Sequence, residues 1–360
     1  MKTSSLALVC AGLCALSIAL AAPAQAQTRY QLTDLGTLAG YANSRAYDIN
    51  NQGQIVGQVA EITTANPGIE AKAILWDGAK VTLIETPDGL PLGVAQGINE
   101  SGQIVGGSGV ENYGSHGFDF AGLSSRAFTF VPGKKQDLAA TQSRAYAINK
   151  GGQIVGQLDT NATLWNNGVP LKLAVSPEVL QSTATAINEK GTVAGIVTLG
   201  GGKRQAALWS DGKIQILGTL PGDDQSIANA INDKGQIVGS SGEKGSYWNQ
   251  PFLWENGKME MLMPLDGRTW INQVMDINQG GQIVGCGMKD GVYMHAVAWE
   301  KQDDLELPGD LNDLTDDLAG LTLMRANAIN DQGQIVGEAR NSKGEIHAFL
   351  LTPLAPAPAK

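Results

Sequence analysis

One twelve-residue block, Ala-x-x-Ile-Asn-x-x-Gly-Gln-Ile-Val-Gly or a close variant, returns seven times along this 360-residue chain and limits what it can fold into. It runs from Ala46 to Gly57, Ala95 to Gly106, Ala145 to Gly156, Ala184 to Gly195, Ala228 to Gly239, Val274 to Gly285 and Ala326 to Gly337. Its asparagines are Asn50, Asn99, Asn149, Asn188, Asn232, Asn278 and Asn330, spaced 39 to 52 residues apart. A unit of that period must stack on copies of itself to bury its apolar face.

Each block reads as a β-hairpin. Small residues alternate along the first arm, as at Ala145 and Ala147, and Gln-Ile-Val-Gly forms the second. Between the arms, the Asn side chain can bond its own backbone ahead and Gly tolerates positive φ. A third arm follows, reading Ala-apolar-x-aromatic, as in Ala73 to Trp76, Ala127 to Phe130, Ala206 to Trp209 and Ala296 to Trp299. A Gly turn and a fourth apolar arm, such as Lys213 to Leu217, complete the unit. Four short antiparallel strands per repeat, with no helical period, predict propeller blades. The chain opens on a segment resembling a fourth strand, Tyr30 to Gly36, and ends on a third strand, Ala348 to Leu351, with no fourth behind it. The expected fold is therefore all-β: a seven-bladed β-propeller over residues 27–352, closed by the N-terminal strand in the last blade. A Pro/Ala-rich tail, residues 353–360, reads as disordered.

The seven blocks, with His347-Ala-Phe-Leu350, Gly36-Thr-Leu-Ala-Gly40, Gly218-Thr-Leu-Pro-Gly222 and Asp310-Leu-Asn-Asp-Leu314, resemble the bacterial extracellular HAF-repeat family. The resemblance spans nearly all of the chain after residue 26. It implies secretion and a propeller-like fold, and it brings no agreed activity and no catalytic residues. The second repeat departs from it through a long insertion at residues 107–125.

Residues 1–26 read as a cleavable signal peptide: Lys2, an apolar stretch from Leu6 to Ala22, and the small-x-small site Ala24-Gln25-Ala26. Secretion or periplasmic localisation follows, with no membrane insertion once the leader is gone. Lys2 leaves with it, so the formal net charge of −10 becomes −11. So acidic a chain has no electrostatic footprint for nucleic acid. Cys10 and Cys14 also leave, and Cys286 remains as the lone thiol.

Candidate site residues follow from the repeat register. The start of each first strand should face the channel mouth, which places Arg45, Val94, Arg144, Thr183, Ile227, Gln273 and Arg325 there. The three arginines, planar and always charged, suit carboxylate or phosphate. Two readings stand side by side: an anion-binding mouth, or arginines paired with Asp48, Asp276 or loop carboxylates to hold the ring. Loops on the same face add Glu111, Tyr113, His116 and Asp119 from the insertion, and Lys203, Arg204, Tyr247, Trp248, Tyr293 and Arg340 from other repeats. His295 and His347 share one repeat position and read as structural, whereas His116, near Tyr113, is the candidate for proton transfer. The acidic run Asp310, Asn312, Asp313, Asp316 and Asp317 lacks the Gly and terminal Glu of a calcium loop. No metal or cofactor is expected.

The sequence thus points to an exported binding propeller whose ligand is anionic or a glycan, with a peptide or envelope component as further partner classes. The alternative is a polysaccharide lyase using His116 and Tyr113 beside the arginine cluster. No catalytic motif selects the enzyme.

Overall fold

The seven blocks fold as hairpins, and a computed structural model shows how the rest of each repeat packs on them. It describes residues 27–63, 66–85, 92–109, 125–131, 134–139, 142–245, 249–265, 272–290, 293–302 and 305–355. The expected leader, the bulk of the insertion and the last five residues lie outside the described residues. Among the described residues the chain is all strand and turn, apart from one 3-10 turn at Gly200–Gly202.

The third repeat shows the plan. Strands Ser143–Ile148, Ile154–Leu158, Asn161–Asn166 and Val169–Lys172 pair in sequence order, all antiparallel. Repeats four, five and six form equivalent four-stranded sheets. Repeats one and two each make the same four-stranded unit, joined into one larger sheet through a parallel pair at Ala71 and Leu92. The last sheet takes its fourth strand from the other end of the chain: Tyr30–Gly36 lies antiparallel against Ile346–Pro353, with Tyr30 opposite Pro353 and Gly36 opposite Ala348. That strand runs through Pro353, one residue past the expected boundary at 352.

Core residues lie between consecutive sheets. Trp165, Trp299, Phe128, Phe252 and Phe349, all on third strands, are fully buried. Between repeats seven and one, Ala328, Val336 and Ala348 pack with Ala46, Ile55, Ile74 and Trp76. Fourth strands are the exposed ones, as in Val169–Lys172. First strands of neighbouring repeats touch each other, the seventh touching the first.

Two repeated residues acquire their reasons here. Each block Asn accepts at Oδ1 from backbone N–H groups ahead of it in its own turn, Gln236 N to Asn232 at 3.1 Å for instance. Its Nδ2 does something no local reading of the turn reveals, since it donates to the carbonyl of the next repeat's Asn. Asn50 reaches Asn99, and Asn99, Asn149, Asn188, Asn232 and Asn278 each reach the Asn that follows, at 3.1–3.2 Å. Asn330 donates to the carbonyl of Asn50 at 3.1 Å. The second residue is the Gly ending Gln-Ile-Val-Gly, whose φ is ordinary. A Cβ on Gly156 would stand 1.9 Å from the Arg144 carbonyl oxygen, and on Gly337 1.9 Å from that of Arg325. A bulge in every first strand, such as that between Ala145 and Ala147, presses the two backbones together at this point.

Candidate functional site

The first strands converge on a cavity of about 780 Å³. Small-molecule sites commonly fall in the range of roughly 300–1,000 Å³. Much of its wall comes from first-strand positions five, three and two residues before the block Asn. Thr183, Ile227 and Gln273 come from the first of these positions, and Gln96, Tyr146, Thr185 and Asn229 from the second. Side chains at the second position also tie repeats together: Thr185 Oγ1 donates to Ala228 O at 2.8 Å and Asn229 Nδ2 to Val274 O at 2.6 Å.

Three of the arginines singled out from sequence, Arg144, Arg204 and Arg325, line this one cavity. Arg204 is exposed and donates through Nε to Gln225 at 3.4 Å. Arg325 lies against Cys286 and Glu338, and these neighbours hold its pKa above the ordinary value. Burial pushes the Cys286 thiol up, against the opposing pull of Arg325, which leaves it a poor nucleophile. Arg45 is outside the cavity lining. Its Nε sits 3.2 Å from Glu338 Oε2, with both side chains largely covered. Glu338 therefore supplies counter-charge to Arg45 and Arg325 together. Tyr293 opens its strand opposite Lys289. Tyr113, His116, Tyr247 and Trp248 lie outside the described residues, as do Glu111 and Asp119.

Asp48 and Asp276 also line the cavity. Sequence offered them as partners for the arginines, and here they bond backbone instead. Asp48 Oδ1 accepts from its neighbour Ile49 and Oδ2 from Ile98 of the next repeat, both at 2.8 Å. Asp276 repeats the arrangement with Ile277 at 2.8 Å and Ile329 at 2.9 Å. Burial raises the Asp48 carboxyl to about 7, with Asp276 and Glu100 adding repulsion against the two N–H donors. Burial likewise raises Asp276 to about 6, aided by Asp331 and opposed by its own two donors. The signal that could have found them is internal. Their register position, two before the block Asn, holds only Gly97, Ala147, Ala186, Ala230 and Ala328 elsewhere.

The paired histidines sit away from the cavity. His295 Nδ1 lies 2.7 Å from Asp310 Oδ2, which also takes Lys289 Nζ at 2.8 Å. Burial disfavours the Asp310 charge, but Lys289, Asn312 and His295 together hold its pKa below the ordinary value. His347 Nδ1 lies 2.9 Å from Asp34. The acidic run thus closes turns, with Asn312 Nδ2 and N both donating to Asp310. Among the described residues no group of three His, Cys, Asp or Glu is arranged to hold a metal ion, and no helix is long and apolar enough to cross a membrane.

No family model matches the chain, and no curated protein matches it. Solved structures do. The β-propeller domain of the Trilobed protease from Pyrococcus furiosus aligns with a TM-score of 0.54 at 10% identity, over 90% of this chain and 93% of that one. YCF48 bound to D1 peptide aligns at 0.51 and 9% identity, over 94% and 99%. The architecture is that of a β-propeller. The acylaminoacyl peptidase of Pyrococcus horikoshii aligns at 0.53 and 10% identity over 86% of this chain, which spans about half, 52%, of that enzyme. At these identities the likeness is one of fold.

Proposed function

We propose that this chain is an exported seven-bladed β-propeller, closed by its N-terminal strand, that binds an anionic ligand or glycan at the arginine-lined end of its central channel. The observation that carries the binding reading is the single cavity shared by Arg144, Arg204 and Arg325. Seven repeats, a terminal strand completing the last sheet, and an Asn hydrogen-bond circuit returning from Asn330 to Asn50 support the closed ring. Leader-like residues 1–26 and the resemblance to the HAF-repeat family support export. YCF48, whose fold aligns with this one, is bound to D1 peptide, which supports a binding reading.

The arginines divide by role in this reading. Arg144 and Arg325 face the ligand, whereas Arg45, tied to Glu338, holds repeats one and seven together. The test is calorimetric titration of the mature protein with acidic oligosaccharides, read alongside ultraviolet absorbance for unsaturated products. Arg144→Gln with Arg325→Gln, titrated at a temperature where circular dichroism shows the variant folded because Arg325 also lies against Cys286 and Glu338, is expected to lose affinity, and Arg45→Gln to lower melting while affinity persists. Rising absorbance would favour the lyase instead. Absence of binding to any acidic probe would remove the anion reading.

A further inference from the structure

The two channel carboxylates bond backbone N–H groups of their own and the next repeat, a role that the other five repeats do without. Five repeats place Gly or Ala at their register position and keep the same hairpin, with the same bulge, at Gly97, Ala147, Ala186, Ala230 and Ala328. The fold therefore forms without a carboxylate there. Placing two of them in the wall of one channel, close enough to repel each other, works against stability. Groups that cost stability and that the fold does not require are a common mark of a binding site.

Their geometry leaves them open to a ligand. A carboxylate offers about four acceptor sites, and two backbone N–H donors occupy about half of them on each Asp. A second, independent feature of the wall points the same way. Ser240 Oγ is buried, with the residue only 3% exposed, and has no hydrogen-bond partner among the described residues although it borders the cavity. Ser240 pairs with Ile227, which shares the register level of Arg144 and Arg325. Cations and an unused hydroxyl thus lie at one level, and the carboxylates three residues deeper. The bulge between those levels lets the three residues oppose an advance of only two on the partner strand, roughly 7 Å, a span that two extended peptide residues cover and three cover with slack.

We propose that the channel takes a short peptide of two or three residues, its free ammonium group seated between Asp48 and Asp276 and its carboxylate facing Arg144, Arg325 and the Ser240 hydroxyl. This rests on the channel being the ligand site, and it makes the ligand a zwitterion instead of a simple anion. The amine is held by charge against two partly desolvated carboxylates, which distinguishes it from an alcohol or an amide of the same size. Because the seat must be ionised to hold an ammonium, affinity rises with pH from 5 to 8. Beside the two Asp themselves, Glu100 and Asp331 act on the seat, and Arg144, Arg204, Arg325 and Glu243 line the same cavity.

The experiment is isothermal titration of the mature protein at pH 8 with triglycine, N-acetyl-triglycine and an acidic trisaccharide, repeated on Asp48→Ala with Asp276→Ala. Alanine is the residue four other repeats carry at this position, and circular dichroism of the double variant verifies its fold. Triglycine should bind at least about tenfold more tightly than its acetylated form, a difference of about 1.4 kcal/mol. The double variant should erase that preference. Equal binding of the two peptides, or a preference surviving in the variant, overturns the seat. Trisaccharide binding without triglycine binding overturns it too while leaving the anionic channel standing, and binding of neither probe removes both readings.

Discussion

Raising the pH from 5 to 8.5 ionises Asp48 and Asp276 where they sit, and the chain should lose stability as it happens. Their carboxyls stand at about 7 and about 6 against an ordinary 3.8. Between those values the folded protein keeps protons that the unfolded chain has released. The stability this confers is whole below about pH 4 and disappears as pH climbs through 6 and then 7. At about 1.4 kcal/mol per tenfold shift in proton affinity, the ceilings are roughly 4 kcal/mol for Asp48 and 3 for Asp276. Both side chains keep some access to channel water, so we expect about 2–4 kcal/mol together. Thermal unfolding followed by circular dichroism would show this as a drop of about 5 °C or more, taking roughly 2 °C per kcal/mol for a large domain. Asp48→Ala with Asp276→Ala should flatten the curve and melt above the parent at pH 8.5. The variant keeps the His295–Asp310 and His347–Asp34 pairs, so the difference between the curves belongs to the channel carboxylates. A parent that melts at the same temperature across this range, or a double variant falling in parallel, would refute the reasoning.

Gly156→Ala forces a Cβ to within 1.9 Å of the Arg144 carbonyl. It should cost more than about 3 kcal/mol, measured as a large drop in melting temperature or loss of soluble protein. Asn232→Ala removes bonds from the backbone N–H groups of Lys234 and Gln236 and to Gln236 Oε1 and Asn278 O. Because Asn232 is fully buried, it should cost about 2–4 kcal/mol, more than a turn closed by one hydrogen bond would.

Much of the fold was legible because it is written seven times. The Asn-x-x-Gly turns follow from local chemistry, and positive φ at Gly152, Gly191 and Gly235 matches it. Pairing of Tyr30–Gly36 with the C-terminal strand followed from an unmatched strand at each end. Contacts between repeats were not legible in the same way. A turn Asn looks complete once its own backbone is satisfied, so the Nδ2 bond to the next repeat shows only in three dimensions. The Gly of Gln-Ile-Val-Gly read only as the end of the second arm, whereas its constraint is a carbonyl pressed onto it by the bulge opposite. At the site, repeat register brought Arg144 and Arg325 to one cavity. Register alone did not distinguish Arg45, whose partner Glu338 is 293 residues away in sequence. Asp48 and Asp276 were visible as letters, but their cost depends on burial, which the sequence does not state.

A crystal structure of the mature protein grown with triglycine tests the central claim most directly. The account predicts ligand density inside the channel, with the amine between Asp48 and Asp276 and the carboxylate toward Arg144 and Arg325. Density confined to the outer strands of the blades, beside an empty channel, would contradict it.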